Sequence, residues 1–265
     1  MTTITSTPRA PWSVQSGQVF RRWVIGTRRQ PWGVAFSLIQ PVIWIVLFGQ
    51  VFKTLGAFPA FGTEGYISYL VPGILMMTVL YSGAWAGTGY ITDIDSGVMA
   101  QYLTTPISRS AIVFGQLGQQ LVVNGAQSLA VIGIGWLAGA RMAGGLPGVV
   151  LAIVVATVLS SIFCCASAAV ALTTRDQVAL IGLSQLVVLP LTFLSTTMMP
   201  AALMPEWIQS VSRWNPMTWA VELGRGALNG SLPAGAAWQA AGLVALAVCA
   251  FAWAVSSLRS YQRSL

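Results

Sequence analysis

A chain of 265 residues that is 55% hydrophobic and only 7% charged cannot clothe a water-facing surface, since an ordinary soluble domain carries about 25% charged residues. The net charge of +7, from 13 basic and 6 acidic residues, would suggest nucleic acid in a soluble protein, but here it is spread among apolar runs and reads as a topology signal. The chain has no histidine, which excludes imidazole bases and histidine-bearing metal sites.

The first 30 residues hold no continuous apolar core followed by a small-residue cleavage site, so targeting by the first span is expected. Arg21-Arg22 is similar to a twin-arginine signal, but Arg28-Arg29 interrupts the run and a full-length span follows. Within residues 13–29, Phe20, Trp23, Val24 and Thr27 fall at helical spacing, while Gln18, Arg21, Arg22, Arg28 and Arg29 fall mostly elsewhere on the wheel. Pro31 stops the pattern. The expectation is an amphipathic helix in the inner interface, rings toward lipid and guanidinium groups toward water.

A helix needs about 20 apolar residues to cross the hydrocarbon core. Six segments qualify in part or whole, at roughly 32–52, 67–90, 112–137, 146–172, 178–195 and 238–258. They are too long and too uniformly apolar for barrel strands, so the fold class is an all-α polytopic membrane protein. With the N-terminus inside, the inner segments hold Arg9, Arg21, Arg22, Arg28, Arg29, Arg109, Arg175, Arg259 and Arg263, and the outer ones hold Lys53, Arg141, Arg213 and Arg225. This predicts a cytoplasmic segment 1–31, a six-span domain 32–258 and a cytoplasmic tail 259–265, multi-pass in the plasma membrane. The basic excess then also attracts anionic lipid, and no nucleic-acid partner is expected.

Between the fifth and sixth spans, residues 198–230 are apolar but broken by Pro200, Pro205 and Asn215-Pro216. Trp207 beside Glu206, and Trp214 beside Arg213, pair aromatic rings with charge as at a membrane surface. Residues 217–228 predict a short helix with Glu222 and Arg225 three apart and able to pair. Two short helices dipping into the outer leaflet are expected. A seventh span would put the terminal arginines outside.

Polar residues inside spans are costly and mark interhelical contacts or a path. Gln116, Gln120, Asn124 and Gln127 step by four, four and three, which places them on one face of the third span. Gln40 lies in the first span and Gln185 in the fifth. Interhelical bonding and a pathway role both fit these amides. The glycine pairs Gly83/Gly87 and Gly135/Gly139 predict close helix approach. Cys164, Cys165 and Cys249 lie in apolar runs without zinc-ligand spacing and read as packing residues. Asp93-Ile94-Asp95 resembles a metal-holding Asp-x-Asp pair, which leaves a membrane-embedded lipid or glycan transferase as an alternative. An ion-coupled carrier is the other alternative, although the spans carry no mid-membrane carboxylate or histidine relay. The single lysine, Lys53, follows no glycine-rich turn, so the chain has no phosphate-binding loop.

Three stretches resemble the type-2 ABC transporter permease family, and within it the daunorubicin-resistance-type exporters. Arg28-Arg29-Gln30-Pro31 with Gln40-Pro41 and Leu47-Phe48-Gly49 is similar to that family's approach to its first span. Residues 95–109, with Gly97, Leu103 and Thr105-Pro106-Ile107-Ser108-Arg109, resemble the loop after its second span. Met204-Pro205-Glu206-Trp207-Ile208 with Asn215-Pro216-Met217-Thr218-Trp219 and Arg225 resembles its signature before the last span.

The resemblance implies a membrane subunit of an exporter moving an amphiphile: a drug, a lipid or a lipid-linked glycan. It implies two ATPase subunits that carry the ATP and Mg, no cofactor on this chain, and a second permease chain, identical or related. It also implies that Gly97, Met99, Tyr102, Leu103, Thr105 and Pro106 form a coupling helix docked into the ATPase, with Met99, Tyr102 and Leu103 as a small apolar face for a partner to bury. The amphipathic helix at 13–29 would be the second inner contact.

Overall fold

A computed structural model describes residues 11–29, 31–52, 65–105 and 107–263. Lys53 and Pro106 lie outside the described residues. Among the described residues the regular structure is all helical, with no strand. The helices are α1 (Trp12–Arg29), α2 (Pro31–Val51), α3 (Gly65–Trp85), α4 (Thr88–Asp95), α5 (Val98–Thr104), α6 (Arg109–Leu137), α7 (Gly145–Thr174), α8 (Gln177–Phe193), α9 (Glu206–Ser212), α10 (Pro216–Asn229) and α11 (Ala236–Arg263).

Four of the helical segments are long and apolar enough to cross a membrane: Gly65–Asp95, Arg109–Leu137, Gly145–Thr174 and Ala236–Arg263. Two shorter apolar stretches, Ala35–Val51 and Gln177–Phe193, fall at the positions where the sequence places the first and fifth spans and are shorter than those four. At 1.5 Å per residue α8 is about 26 Å long, slightly under the roughly 30 Å hydrocarbon core. Helix α7 forms the centre of the bundle and packs against α3, α6, α10 and α11. Helix α3 is buried along most of its length. Helices α2 and α8 lie at the periphery, exposing Trp32, Phe36, Val46, Val178, Leu186 and Phe193.

The span Gly65–Asp95 is interrupted between α3 and α4, where Gly87 approaches α7. A Cβ on Gly83 would sit 2.5 Å from the Ser160 carbonyl, and one on Gly87 would collide with that of Ser167. Only glycine admits so close a crossing, as the four-residue spacing predicts. Carbonyls freed at the interruption are held by side chains of other helices, as hydrocarbon requires. Ser167 Oγ donates to the Ala84 carbonyl (2.5 Å) and accepts from the Gly87 amide (3.0 Å). Ser184 Oγ donates to the same carbonyl (3.1 Å), and Gln116 Nε2 donates to that of Ala86 (2.9 Å). The second glycine pair divides: Gly135 abuts Val71, whereas Gly139 sits in the turn after α6 with open space around it.

Beyond α8 the chain folds through α9 and α10. At 14 residues α10 is about 21 Å long, too short to cross. Asn215 starts it by accepting from the Met217 amide (2.9 Å), with Pro216 at the first helical position, where the missing amide costs nothing. The Asn215 side-chain amide donates back to the Leu191 and Leu194 carbonyls at the end of α8 (2.8 and 3.0 Å). One residue thus caps α10 and fastens it to the preceding helix. The expected Glu222–Arg225 pair does not form. Glu222 accepts from Gln239 Nε2 on α11 (2.6 Å), while Arg225 donates to the Tyr69 and Thr196 carbonyls (3.3 and 3.0 Å) and lies 3.6 Å over the Tyr69 ring. Each finds an acceptor or donor on another element, which ties α10 to α3, to the segment after α8 and to α11. Trp207 on α9 remains largely exposed.

Candidate functional site

Helix α4 ends in a tight turn at Ser96-Gly97, where Gly97 takes φ 73°, a left-handed conformation that a side chain would strain. Helix α5 leaves from it as a single short rod. Met99 points back into the protein and is 1% exposed, so it is not free for a partner, contrary to the sequence expectation. Tyr102 is half-buried and accepts from Arg22 through its hydroxyl (2.7 Å). The outward face of α5 is instead formed by Ala100, Gln101 and Thr104, continued by Thr105. Leu103 lies on α5, and Pro106 follows it outside the described residues.

Helix α1 packs on the beginning of α6 and on the α4–α5 elbow. Its apolar face is received by glycines: Val19 against Gly115, Phe20 against Gly118 and Trp23 against Gly89. The expectation that Phe20 and Trp23 turn toward lipid is therefore corrected, because small residues on α4 and α6 open a seat for them inside the protein. Trp12, Val14 and Ile25 stay exposed, as do Arg21 and Arg28. Arg29 closes α1.

Arg22 holds this assembly together. Its guanidinium donates to both carboxylate oxygens of Asp93, one at 2.9 Å, and lies over the rings of Tyr102 and Trp23. The Asp93 carboxylate raises the Arg22 pKa above its usual value, burial opposes this, and Tyr102 adds to it. Asp93 is 5% exposed and fully engaged, whereas Asp95 is exposed two residues on, across the helix. Among the described residues no three His, Cys, Asp or Glu side chains gather where they could hold a metal ion.

The amides of α6 share a buried face, as their spacing predicts. Gln120 Nε2 donates to Ser82 Oγ on α3 (2.8 Å) and to Asn124 Oδ1 (3.1 Å). Gln127 Nε2 donates to Ser37 Oγ on α2 (2.8 Å), and Gln119 Nε2, on a neighbouring face, donates to Thr27 Oγ1 on α1 (2.9 Å). Gln40, Gln116, Gln120 and Gln127 also line an open cavity of about 1030 Å³ bordered by α1, α2, α3, α4 and α6. Asn124 and Gln185 do not line it. Sequence spacing identified the amides but not their serine partners, since a serine in an apolar run carries no periodic signal.

At the elbow end of the bundle, Arg109 at the start of α6 donates to Gln262 Oε1 (2.9 Å from Nε), and Arg175, after α7, lies 4.6 Å over the Tyr261 ring. Arg259 and Arg263 on α11 belong to the same end, and Arg9 lies outside the described residues.

The ABC-2 type transporter family model matches residues 14–229, which include α5, the α6 amides and Arg225. The chain belongs to this family. It is 29% identical over 194 residues to the daunorubicin resistance ABC transporter permease protein DrrB1 of Streptomyces coeruleorubidus, covering 73% of this chain and 68% of that one. It is 27% identical over 195 residues to a transport permease, ycf38, of Porphyra purpurea, covering 73% and 67%. It is 24% identical over 213 residues to a doxorubicin resistance ABC transporter permease protein, DrrC, of Mycobacterium tuberculosis, covering 80% and 75%. ABC-2 permeases are multi-pass membrane transport subunits whose ATPase is a separate chain.

Proposed function

We propose that this ABC-2 permease is one of two membrane subunits, identical or related, of a plasma-membrane exporter driven by two ATPase subunits that bind ATP and Mg. It has six spans, formed by α2, α3–α4, α6, α7, α8 and α11, with both termini cytoplasmic and α9–α10 re-entrant from the outer side. Residues 1–31 form the cytoplasmic segment, 32–258 the membrane domain and 259–265 the tail. The substrate is an amphiphile of the drug, lipid or lipid-linked glycan class, a reading supported by the resistance permeases among the relatives.

One observation carries this reading: the α4–α5 elbow projects a small exposed face at Ala100, Gln101, Thr104 and Thr105, while Arg22 and Asp93 fix its base to α1. A motor pushing on α5 moves α1 and α4 together. Interconversion of two packed states then exposes the path to opposite sides in turn, with the energy supplied by nucleotide on the partner. The apolar outer faces of α2 and α8 suit lipid or the second permease chain.

The test is reconstitution of the permease with the ATPase encoded or purified alongside it. Nucleotide-dependent movement of a fluorescent amphiphile out of the leaflet, absent when either subunit is omitted, is the expected result. Transport by the permease alone would refute the assignment.

A further inference from the structure

The cavity between α1, α2, α3, α4 and α6 lies within one chain, and its lining is chemically ordered. Among the described residues, three charged side chains line it: Arg21, Arg22 and Asp93. Arg22 and Asp93 neutralise each other, which leaves Arg21 as the uncompensated charge, exposed and without an ion-pair partner among the described residues. Tyr81, Trp85 and Met77 supply an apolar wall. Gln116 and Gln127 both border the cavity and stand eleven residues apart on α6, about 16 Å along its axis. The cavity is therefore longer than a simple headgroup.

Gln127 adds a second, independent observation. It is 2% exposed, its Nε2 is spent on Ser37, and its Oε1 has no donor. A buried acceptor left empty calls for a hydroxyl or amine brought by something else.

We infer that this cavity binds an anionic, hydroxyl-bearing amphiphile from the inner leaflet, its charge at Arg21 and its hydroxyls along the amide row toward Gln127. The inference rests on the proposed orientation of the permease, because Arg21 must lie at the cytoplasmic surface. It assigns one ligand to each chain, held beside α1 and the elbow, where its presence alters the base that the ATPase would push.

The test uses the chain with its ATPase in detergent, titrated by native mass spectrometry with three lipids of matched acyl chains: a phospholipid whose phosphate carries a disaccharide, phosphatidic acid and phosphatidylcholine. The disaccharide lipid should be retained at one per permease chain and preferred over phosphatidylcholine. Arg21→Gln should weaken the disaccharide lipid and phosphatidic acid alike by about fivefold. Gln127→Leu should weaken the disaccharide lipid by about fivefold and leave phosphatidic acid, which lacks the sugar hydroxyls, unchanged. Equal retention of phosphatidylcholine, or wild-type binding of the disaccharide lipid in either Arg21→Gln or Gln127→Leu, overturns the site. Co-elution of the ATPase is read in the same spectra: an intact complex without lipid preference rejects only the site, and selective lipid binding without any ATPase rejects only the permease reading.

Discussion

Arg22 on α1 and Asp93 at the end of α4, 71 positions apart in the chain, form a two-pronged ion pair that also holds the hydroxyl of Tyr102 on α5. Three helices, α1, α4 and α5, therefore meet on one guanidinium. Replacing Arg22 with Gln leaves a buried carboxylate unpaired. The Arg22 side chain is 41% exposed, so solvent screens part of the loss, and about 1–2 kcal/mol of stability is expected to go. Thermal unfolding in detergent measures it, and the exchanged pair Arg22→Asp with Asp93→Arg should recover part. Transport should fall more than ATPase activity, since the motor is intact but its lever is loose.

The pH dependence follows from the direction of the Arg22 shift. A cation whose pKa is raised on folding contributes stability that is fully present below the unfolded pKa and lost only as pH rises through the folded value. Both values lie far above neutrality for Arg22. Its contribution should stay constant from about pH 5 to about pH 9, so the stability difference between wild type and Arg22→Gln should show no alkaline loss there.

The exposed face of α5 gives a separate expectation for docking. Gln101→Arg combined with Thr104→Arg should reduce ATPase co-purification by about tenfold, equivalent to about 1.4 kcal/mol. Unfolding of the permease alone should stay within about 0.5 kcal/mol, as for other surface changes. Tyr102→Phe removes only the hydroxyl bond to Arg22 and should keep the ATPase bound. If the double variant retains its ATPase fully, α5 is not the docking element.

Close helix approach can be tested by contrast. A valine at Gly83 must displace the Ser160 backbone, and overpacking of about 1–3 kcal/mol is expected. Gly125 on α6 has no atom within 4 Å of its would-be Cβ, so Gly125→Ala should be neutral or stabilise by roughly 0.5–1 kcal/mol through helix propensity. Both are read by unfolding in detergent.

Asn215→Ala removes the cap of α10 and both bonds to the end of α8. A loss of about 1–3 kcal/mol is expected, with Asn215→Asp recovering the cap but not the bonds to the carbonyls. Proteolysis of the segment between α8 and α10 should quicken in the alanine variant.

Much of the architecture was legible because hydrocarbon imposes a simple length rule, and the apolar runs at 67–90, 112–137, 146–172 and 238–258 obey it. The Asn215-Pro216 start of α10 was legible for a local reason: capping depends on neighbours in sequence. The Arg22–Asp93 pair was not, since its partners are brought together by tertiary packing and Asp93 looked like half of a metal pair. The direction of the α1 rings was missed for a related reason. A helical wheel reports which face is apolar, but whether lipid or protein covers it depends on Gly89, Gly115 and Gly118, distant residues whose smallness leaves no signature of its own. Met99 likewise read as open because a seven-residue helix can turn either side toward the bundle.

The interruption after α3 bears on how motion could travel. The carbonyls of Ala84 and Ala86 are held by Ser167, Ser184 and Gln116, side chains belonging to three different helices. The Ala84 carbonyl has two side-chain donors and that of Ala86 also accepts from the Gly89 amide (3.3 Å), so a tilt of α4 that breaks one bond would leave each carbonyl another. Bending at this joint would reach α6, α7 and α8 directly through the same bonds.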